Sequence, residues 1–306
     1  MGGVPCLPPF NTAEACGDCN TQCEGGTPFC APADGGGFEC VPVCGPGLTR
    51  CGFQCVDLQT DPRNCGVCFN ICPSGVCEDG ICLGSTPGHI VYSCMNYAEV
   101  FKVSSQTTLL GNAVFLPRRE PVRVLAYSEY SENSVMVATD IAIRWAGDEL
   151  NRTAEITRVA DVDEIETDLI LSSYDVFLVY DQPNAPTGAL AAAGAQLAAT
   201  VTAFTRGGGV AVLLSGATGI GEMGEFATSA GLAAIGTETP YSSLAYIQGS
   251  GDVLTVDVVA PFLTLDSSCT FTTSEIPSAD TIFVFTDTEP TVGVGAPIVL
   301  HKVVTP

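Results

Sequence analysis

Cysteine carries the most chemistry in this sequence, because a thiol can cross-link, hold a metal as thiolate, or cycle between thiol and disulfide. Sixteen cysteines occur, and fourteen of them crowd between Cys6 and Cys82. Cys6, Cys16, Cys19 and Cys23 have the spacing C-x9-C-x2-C-x3-C, and Cys55, Cys65, Cys68 and Cys72 repeat it unchanged 49 residues later. Cys30 and Cys77, then Cys40 and Cys82, correspond more loosely. Identical intervals twice over indicate duplicated modules. The first is expected to run over 6–51 with eight cysteines, including Cys44 and Cys51, and the second over 55–82 with six. Both counts are even, so each module can close on itself, and the pairing stays open. Structural disulfides are the favoured state, since a short loop-rich segment buries too little apolar surface to fold unaided. Two alternatives remain. Cys16-Gly17-Asp18-Cys19 and Cys65-Gly66-Val67-Cys68 are C-x-x-C pairs, redox-active in other settings. Zinc would need all-thiolate, four-cysteine sites, because neither module has a histidine.

Beyond residue 85 the reactive groups are few. Cys94 and Cys269 are expected to pair, with a nucleophilic Cys94 as the competing idea. Ser215, in Leu213-Leu214-Ser215-Gly216-Ala217, follows an apolar strand and could serve as a nucleophile if a base lay beside it. The only histidines are His89 and His301, and His301 sits within an apolar strand. Gly219-Ile220-Gly221-Glu222-Met223-Gly224 matches G-x-G-x-x-G, a pyrophosphate cradle or, as expected here, a glycine-rich strand-to-helix turn. Asp161, Asp163 and Glu166 lie in an acidic stretch whose oxygens could take calcium; an exposed helix start is the plainer reading. Asn151-Arg152-Thr153 is a glycosylation sequon, relevant only in a eukaryotic secretory host.

The net charge is −23, with Lys102 and Lys302 the only lysines. Displacing counterions from nucleic acid takes a Lys/Arg surface, so nucleic-acid binding is not expected, and anionic membrane surfaces are disfavoured for the same reason. No apolar run approaches the roughly 18 residues of a membrane span. No apolar leader precedes Cys6, so an extracellular protein is expected to have lost one or to continue upstream. No cofactor is expected, calcium being the one candidate.

Residues 1–84 form the cysteine-rich region, 85–88 a linker, and 89–306 an α/β domain. Strands are expected at His89–Cys94, Val122–Tyr127, Ile156–Val159, Asp175–Tyr180 and Val210–Leu214. Helices are expected at about 134–150, with Ala138, Ile141, Ala142 and Trp145 facing the core, then from Pro186 to Gly207, with Leu190, Ala193, Leu197, Val201 and Phe204 inward, and around 222–230. Alternating strands and helices imply a parallel sheet covered on both faces. Val253–Val258, Thr281–Phe285 and Ile298–Val304 are expected as strands of a β-rich, antiparallel C-terminal extension.

Cys51-Gly52-Phe53-Gln54-Cys55-Val56-Asp57-Leu58-Gln59-Thr60-Asp61-Pro62-Arg63-Asn64-Cys65-Gly66 resembles the stigma-specific cysteine-rich repeat over about 44–82, with a degraded copy over 6–44. That resemblance implies an extracellular or cell-surface setting and no catalysis. The βαβα order resembles the flavodoxin-like layer of class I glutamine amidotransferase-like and ThuA-like domains. That family places a cysteine nucleophile in Gly-x-Cys-x-Gly, where this chain has Ser215 and no glycine two residues before it. The expected function is a secreted, non-catalytic binding or structural protein, with a cysteine-rich stalk and an α/β domain that takes an unidentified protein or small ligand. A hydrolase using Ser215 or Cys94, with His301 as the candidate base, and a metal-thiolate protein are the alternatives.

Overall fold

The computed structural model describes residues 11–12, 15–16, 18, 21–23, 29–33, 36–41, 43–52, 54–69, 71–72, 75–82, 86–98, 104–216 and 222–305. The chain divides into two units, Met1–Ser85 and Thr86–Pro306. Gly88, expected in the linker, already begins a strand.

In the first unit the described strands are only two to four residues long, and disulfides join every described cysteine there. Cys16 bonds Cys30 and Cys23 bonds Cys40; Cys65 bonds Cys77 and Cys72 bonds Cys82. These two pairs of bonds occupy corresponding places in the two copies. Cys44–Cys55 and Cys51–Cys68 both cross the boundary expected between Cys51 and Cys55. The closed second module is therefore 44–82, and the division at 51–55 is corrected: the short Thr49–Cys51 and Gln54–Val56 strands form one hairpin, which cannot be split between modules. Cys6 and Cys19 lie outside the described residues. The C-x-x-C pairs are not bonded to themselves: Cys16 is held by Cys30, Cys65 by Cys77 and Cys68 by Cys51.

The Asp57–Asn64 stretch folds by side chains that imitate backbone turns. Asp57 accepts the Gln59 N–H (2.9 Å) and the Thr60 hydroxyl (2.8 Å). Asp61 accepts the Arg63 N–H and the Asn64 amide, and Asn64 in turn accepts the Phe69 N–H. Gly66 has φ +72°, and a Cβ there would sit 2.5 Å from the Gly80 carbonyl oxygen, so only glycine lets the Cys65 turn close on the Cys77–Cys82 hairpin.

The second unit is mixed α/β. In chain order it runs β1 (Gly88–Ser93), α1 (Ser105–Val114), β2 (Val122–Tyr127), α2 (Asn133–Leu150), β3 (Ala154–Val159), α3 (Val162–Asp168), β4 (Val176–Val179), α4 (Ala189–Arg206), β5 (Val210–Leu214) and α5 (Met223–Ser229). A β-rich tail follows: β6 (Ile235–Pro240), β7 (Leu244–Ile247), β8 (Phe262–Leu263), β9 (Cys269–Thr273), β10 (Thr281–Thr286) and β11 (Pro297–Val304). The main sheet has the order β3-β2-β4-β5-β1-β11-β10-β7-β8. Its first five strands are parallel. From β11 onward the pairing is antiparallel, so the tail extends the sheet. β6 and β9 form a separate ribbon.

Central strands such as Val176–Val179 and Val210–Leu214 are apolar throughout because both faces are covered. On one face, Tyr92, Phe177 and Leu213 pack with Leu190, Leu197, Val201 and Phe226 of α4 and α5. On the other, Val91, Leu178 and Val212 pack with α1 and α2. Each fully buried Leu, Val or Phe in these layers contributes roughly 1.5–3 kcal/mol relative to exposure.

Two expectations are corrected, and one helix is added to them. The buried face of α2 is Val135, Thr139, Ala142, Ile143 and Ala146, so Ala138, Ile141 and Trp145 are only partly covered. The apolar residues of α2 are spread around the helix, and α1 decides which side is covered. α1 itself was not foreseen: Thr107, Thr108, Gly111 and Asn112 are weak helix formers, and the Ser104 cap on the Thr107 N–H (3.1 Å) and the burial of Leu109, Leu110 and Val114 hold it. Val253–Val258 is not a strand but the turn Val253–Thr255, started by the Asp252 carboxylate capping the Leu254 N–H at 2.8 Å.

Candidate functional site

Parallel sheets build sites where strands end in carboxyl termini, and here β1 and β5 end side by side. The Ser215 N–H donates to the Ser93 carbonyl (2.8 Å), which brings Ser215 next to Cys94. Gly216 turns the chain at φ +92°; a Cβ there would meet the Ser267 carbonyl oxygen at 2.8 Å. β9 closes over this edge. The Cys269 N–H donates to the Cys94 carbonyl (2.7 Å), and the two sulfurs are bonded, with Cα atoms 5.0 Å apart. A bonded sulfur offers no thiolate, so Cys94 is not placed to act as a nucleophile.

Tyr92 and Glu238 complete the cluster. The Tyr92 hydroxyl donates to Glu238 Oε1, and Cys94 Sγ lies 3.6 Å from the same oxygen. Burial raises the Glu238 carboxyl above its ordinary range, against the smaller downward pull of Tyr92 and Ser215. Burial and the Glu238 charge push the Tyr92 phenol well up. Ser215 is fully buried, and its hydroxyl is close enough to lower the proton affinity of both neighbours slightly, yet makes no hydrogen bond of good geometry. The unfolded chain releases the Glu238 proton earlier than the folded one, so this group's contribution is complete in acid and fades as pH rises through its folded value. Glu238→Gln keeps an acceptor for Tyr92 without an ionisable proton. It is expected to stabilise the protein increasingly as pH rises above the ordinary carboxyl range, whereas Glu238→Ala costs about 1–3 kcal/mol by orphaning the phenol. Urea titrations of both variants at several pH values check this.

The histidines stand elsewhere. His301 pairs in register with Val91, and its neighbour Leu300 packs in the Tyr92 face, so strand alternation points His301 to the opposite face from Tyr92 and Glu238. His301 Nδ1 lies 2.8 Å from Asp252 Oδ2, and its Nε2 lies 2.9 Å from His89 Nδ1. A Ser215–His301 dyad is therefore excluded by the sheet between them, and that reading is corrected.

The remaining candidates have structural partners. Asp161 caps α3 by accepting the Asp163 N–H (2.9 Å). Gln196 donates to Asp163 (2.7 Å) and Glu166 (3.2 Å), so an amide on α4 engages the carboxylates proposed for calcium. Of the G-x-G-x-x-G stretch, Gly219, Ile220 and Gly221 lie outside the described residues; Glu222 accepts the Gly188 N–H (2.8 Å), and a Cβ on Gly224 would press on Ile235. Asn151 ends α2 exposed in the left-handed conformation, φ 52°. At the carboxyl ends of β2 and β3, an open groove of about 620 Å³ is lined by Tyr127, Glu129, Tyr130, Asp161 and Gln196 among others. The Tyr127 hydroxyl donates to Glu129 at 2.6 Å. Burial drives the Tyr127 phenol up, and the bond to Glu129 adds to it.

Glu238, Tyr92 and Asp252 were missed from sequence. Glu238 sits in a polar tail stretch, and Asp252 follows Gly249-Ser250-Gly251 like an ordinary turn residue; no local signal marks either. In comparison with known proteins, no family model matches the sequence, no curated protein aligns with it, and no solved structure matches the fold.

Proposed function

We propose that this is a disulfide-stapled, secreted or cell-surface binding protein, whose α/β unit keeps the layer of an amidotransferase-like domain and lacks its nucleophile. The carrying observation is the carboxyl edge beside β5. There Cys94 is cross-linked to Cys269, and Ser215 is buried beside a carboxyl that burial favours in its neutral form. Burial thus works against the ionised carboxylate that would be needed to take a serine proton.

Strand order supports the flavodoxin-like reading. Counted from Val122, the strands lie 2-1-3-4 as in that fold, and the fifth place is taken by the unit's own first strand, β1. The Asp57–Asn64 turns support the stigma-specific-type repeat, because its polar residues act in folding rather than in chemistry. Disulfides throughout the described cysteines suit an oxidising compartment, and a sulfur already bonded to sulfur is not a thiolate ligand, which weighs against the metal-thiolate alternative. No helix among the described residues is long and apolar enough to cross a membrane. The groove at Tyr127, Glu129, Tyr130 and Asp161 is the proposed ligand seat, with aromatic faces and carboxylates suited to a cationic group.

The hydrolase alternative rests on Ser215 lying beside Glu238. A fluorophosphonate probe applied to the folded, non-reduced protein separates the two readings. No labelling is expected; labelling that disappears in Ser215→Ala establishes the hydrolase and removes the binding-protein reading.

A further inference from the structure

The chain's only two histidines meet, 212 residues apart, in front of one buried carboxylate. The ring centroids are 5.1 Å apart with planes 25° from parallel. That separation exceeds the 2.9 Å N···N distance by about two ring radii, so the nitrogens point at each other nearly in line: this is an N–H···N hydrogen bond, not a face-to-face stack. Asp252 accepts from His301 Nδ1–H, which leaves His301 Nε2 as the acceptor of His89 Nδ1–H. The row ends at His89, which is half-buried, while Asp252 and His301 are almost wholly enclosed.

Three parts of the unit are tied by this row. His89 is on β1, His301 on β11, and Asp252 starts the turn that buries Leu254. The turn's other anchors are neutral: Asn112 of α1 donates to the Leu254 and Val256 carbonyls, and Gln248 donates its N–H to the Val284 carbonyl. Among the described residues, the strand partners of the two histidines add no further charge. β5 places Val210 opposite His89, β10 places Ile282 opposite His301, and Lys302 reaches Glu275 from the other face. The charges acting on His89 are those of His301 and Asp252.

One added proton fits the row. With His301 doubly protonated, it donates to Asp252 on one side and to His89 on the other, and the carboxylate offsets its charge. A second proton removes the only acceptor between the rings and sets two imidazolium ions against each other. We propose that Asp252, His301 and His89 form an acid-operated latch, holding the 248–256 turn and the start of β1 to the last strand while the rings share at most one proton, and releasing them when the second arrives. Burial and the His301 charge depress His89 to about 4, which places the release in acid.

Hydrogen exchange on the full chain, at neutral pH and near pH 4, tests this after correction for intrinsic exchange. Exchange at 248–256 and 88–91 is expected to rise tenfold or more in acid relative to β2, β4 and β5. His89→Gln keeps a hydrogen-bonding group and cannot gain charge, so it should retain neutral protection and lose most of the acid effect. An equal acid effect in His89→Gln, or a uniform one across the sheet, overturns the latch. Should that variant fail to fold, NMR of the wild-type protein with 15N-labelled histidine decides: two rings protonating in separate steps support the latch, and two protonating together overturn it. Zinc or copper that raises Tm at neutral pH and quenches histidine protonation would make the row a metal site, and overturns it too.

Discussion

Replacing Cys94 and Cys269 together with serine is expected to destabilise the α/β unit by about 5 kcal/mol. The bond closes a loop with a sequence separation of 175, and loop-closure entropy for that length is of this order. Nearly every helix of the unit and all five parallel strands lie within or at the end of that loop. The bond also tethers β9 over the ends of β1 and β5, which keeps water from Ser215, Tyr92 and Glu238. Removing it therefore acts twice, by loosening the unfolded chain and by exposing a buried polar cluster. Urea unfolding of the non-reduced proteins, followed through Trp145 fluorescence, measures the change, and a steeper denaturant dependence should accompany it as the unfolded state expands. A loss below about 1 kcal/mol would mean that β9 is held by its backbone ladder alone.

Acidification is expected to weaken the fold between pH 6.5 and about 4, and His89 is the expected cause. Its ordinary value is 6.5, and in the fold burial first, then the His301 charge, lower it to about 4. In that window the unfolded chain binds a proton that the folded chain refuses, so stability falls as pH drops. A displacement of that size is worth up to about 3 kcal/mol, less whatever solvent recovers at the half-open ring. Asp252→Ala should be costlier at every pH, by about 3–5 kcal/mol, since it leaves the His301 N–H buried without an acceptor and strips the cap from the Leu254 turn. Asp252→Asn keeps an acceptor and should cost clearly less. Tm against pH for wild type, His89→Gln and both Asp252 variants reads all of this; a flat wild-type profile would remove His89 as its source.

Where a segment's own pattern matched its final surroundings, the sequence was a sound guide. α4 buries Leu190, Ala193, Leu197, Val201 and Phe204, the stripe visible in its 3.6-residue spacing. Val210–Leu214 is apolar on both sides because both sides are covered. The repeated cysteine intervals reappear as corresponding bonds, Cys16–Cys30 with Cys65–Cys77 and Cys23–Cys40 with Cys72–Cys82. Failures came where a local signal was weak or carried two meanings. α1 has poor helix propensity and exists by packing, and the apolar residues of Val253–Val258 have the look of a strand although only Leu254, in the capped turn, and Val258 are buried.

Composition and spacing by themselves determined that the front of the chain is cross-linked and duplicated, that strands alternate with helices behind it, and that a nucleic-acid surface is not to be expected. These are properties of neighbours along the chain, set by local sterics, periodicity and charge. Only the tertiary structure decided that Ser215 and His301 are separated by a sheet, that Glu238 comes to Tyr92 across 146 positions, and that two lone histidines join in front of Asp252. A strand's register and the face each side chain takes depend on which distant strand pairs with it. A shift of one residue turns every side chain over, and nothing within a single segment records that choice.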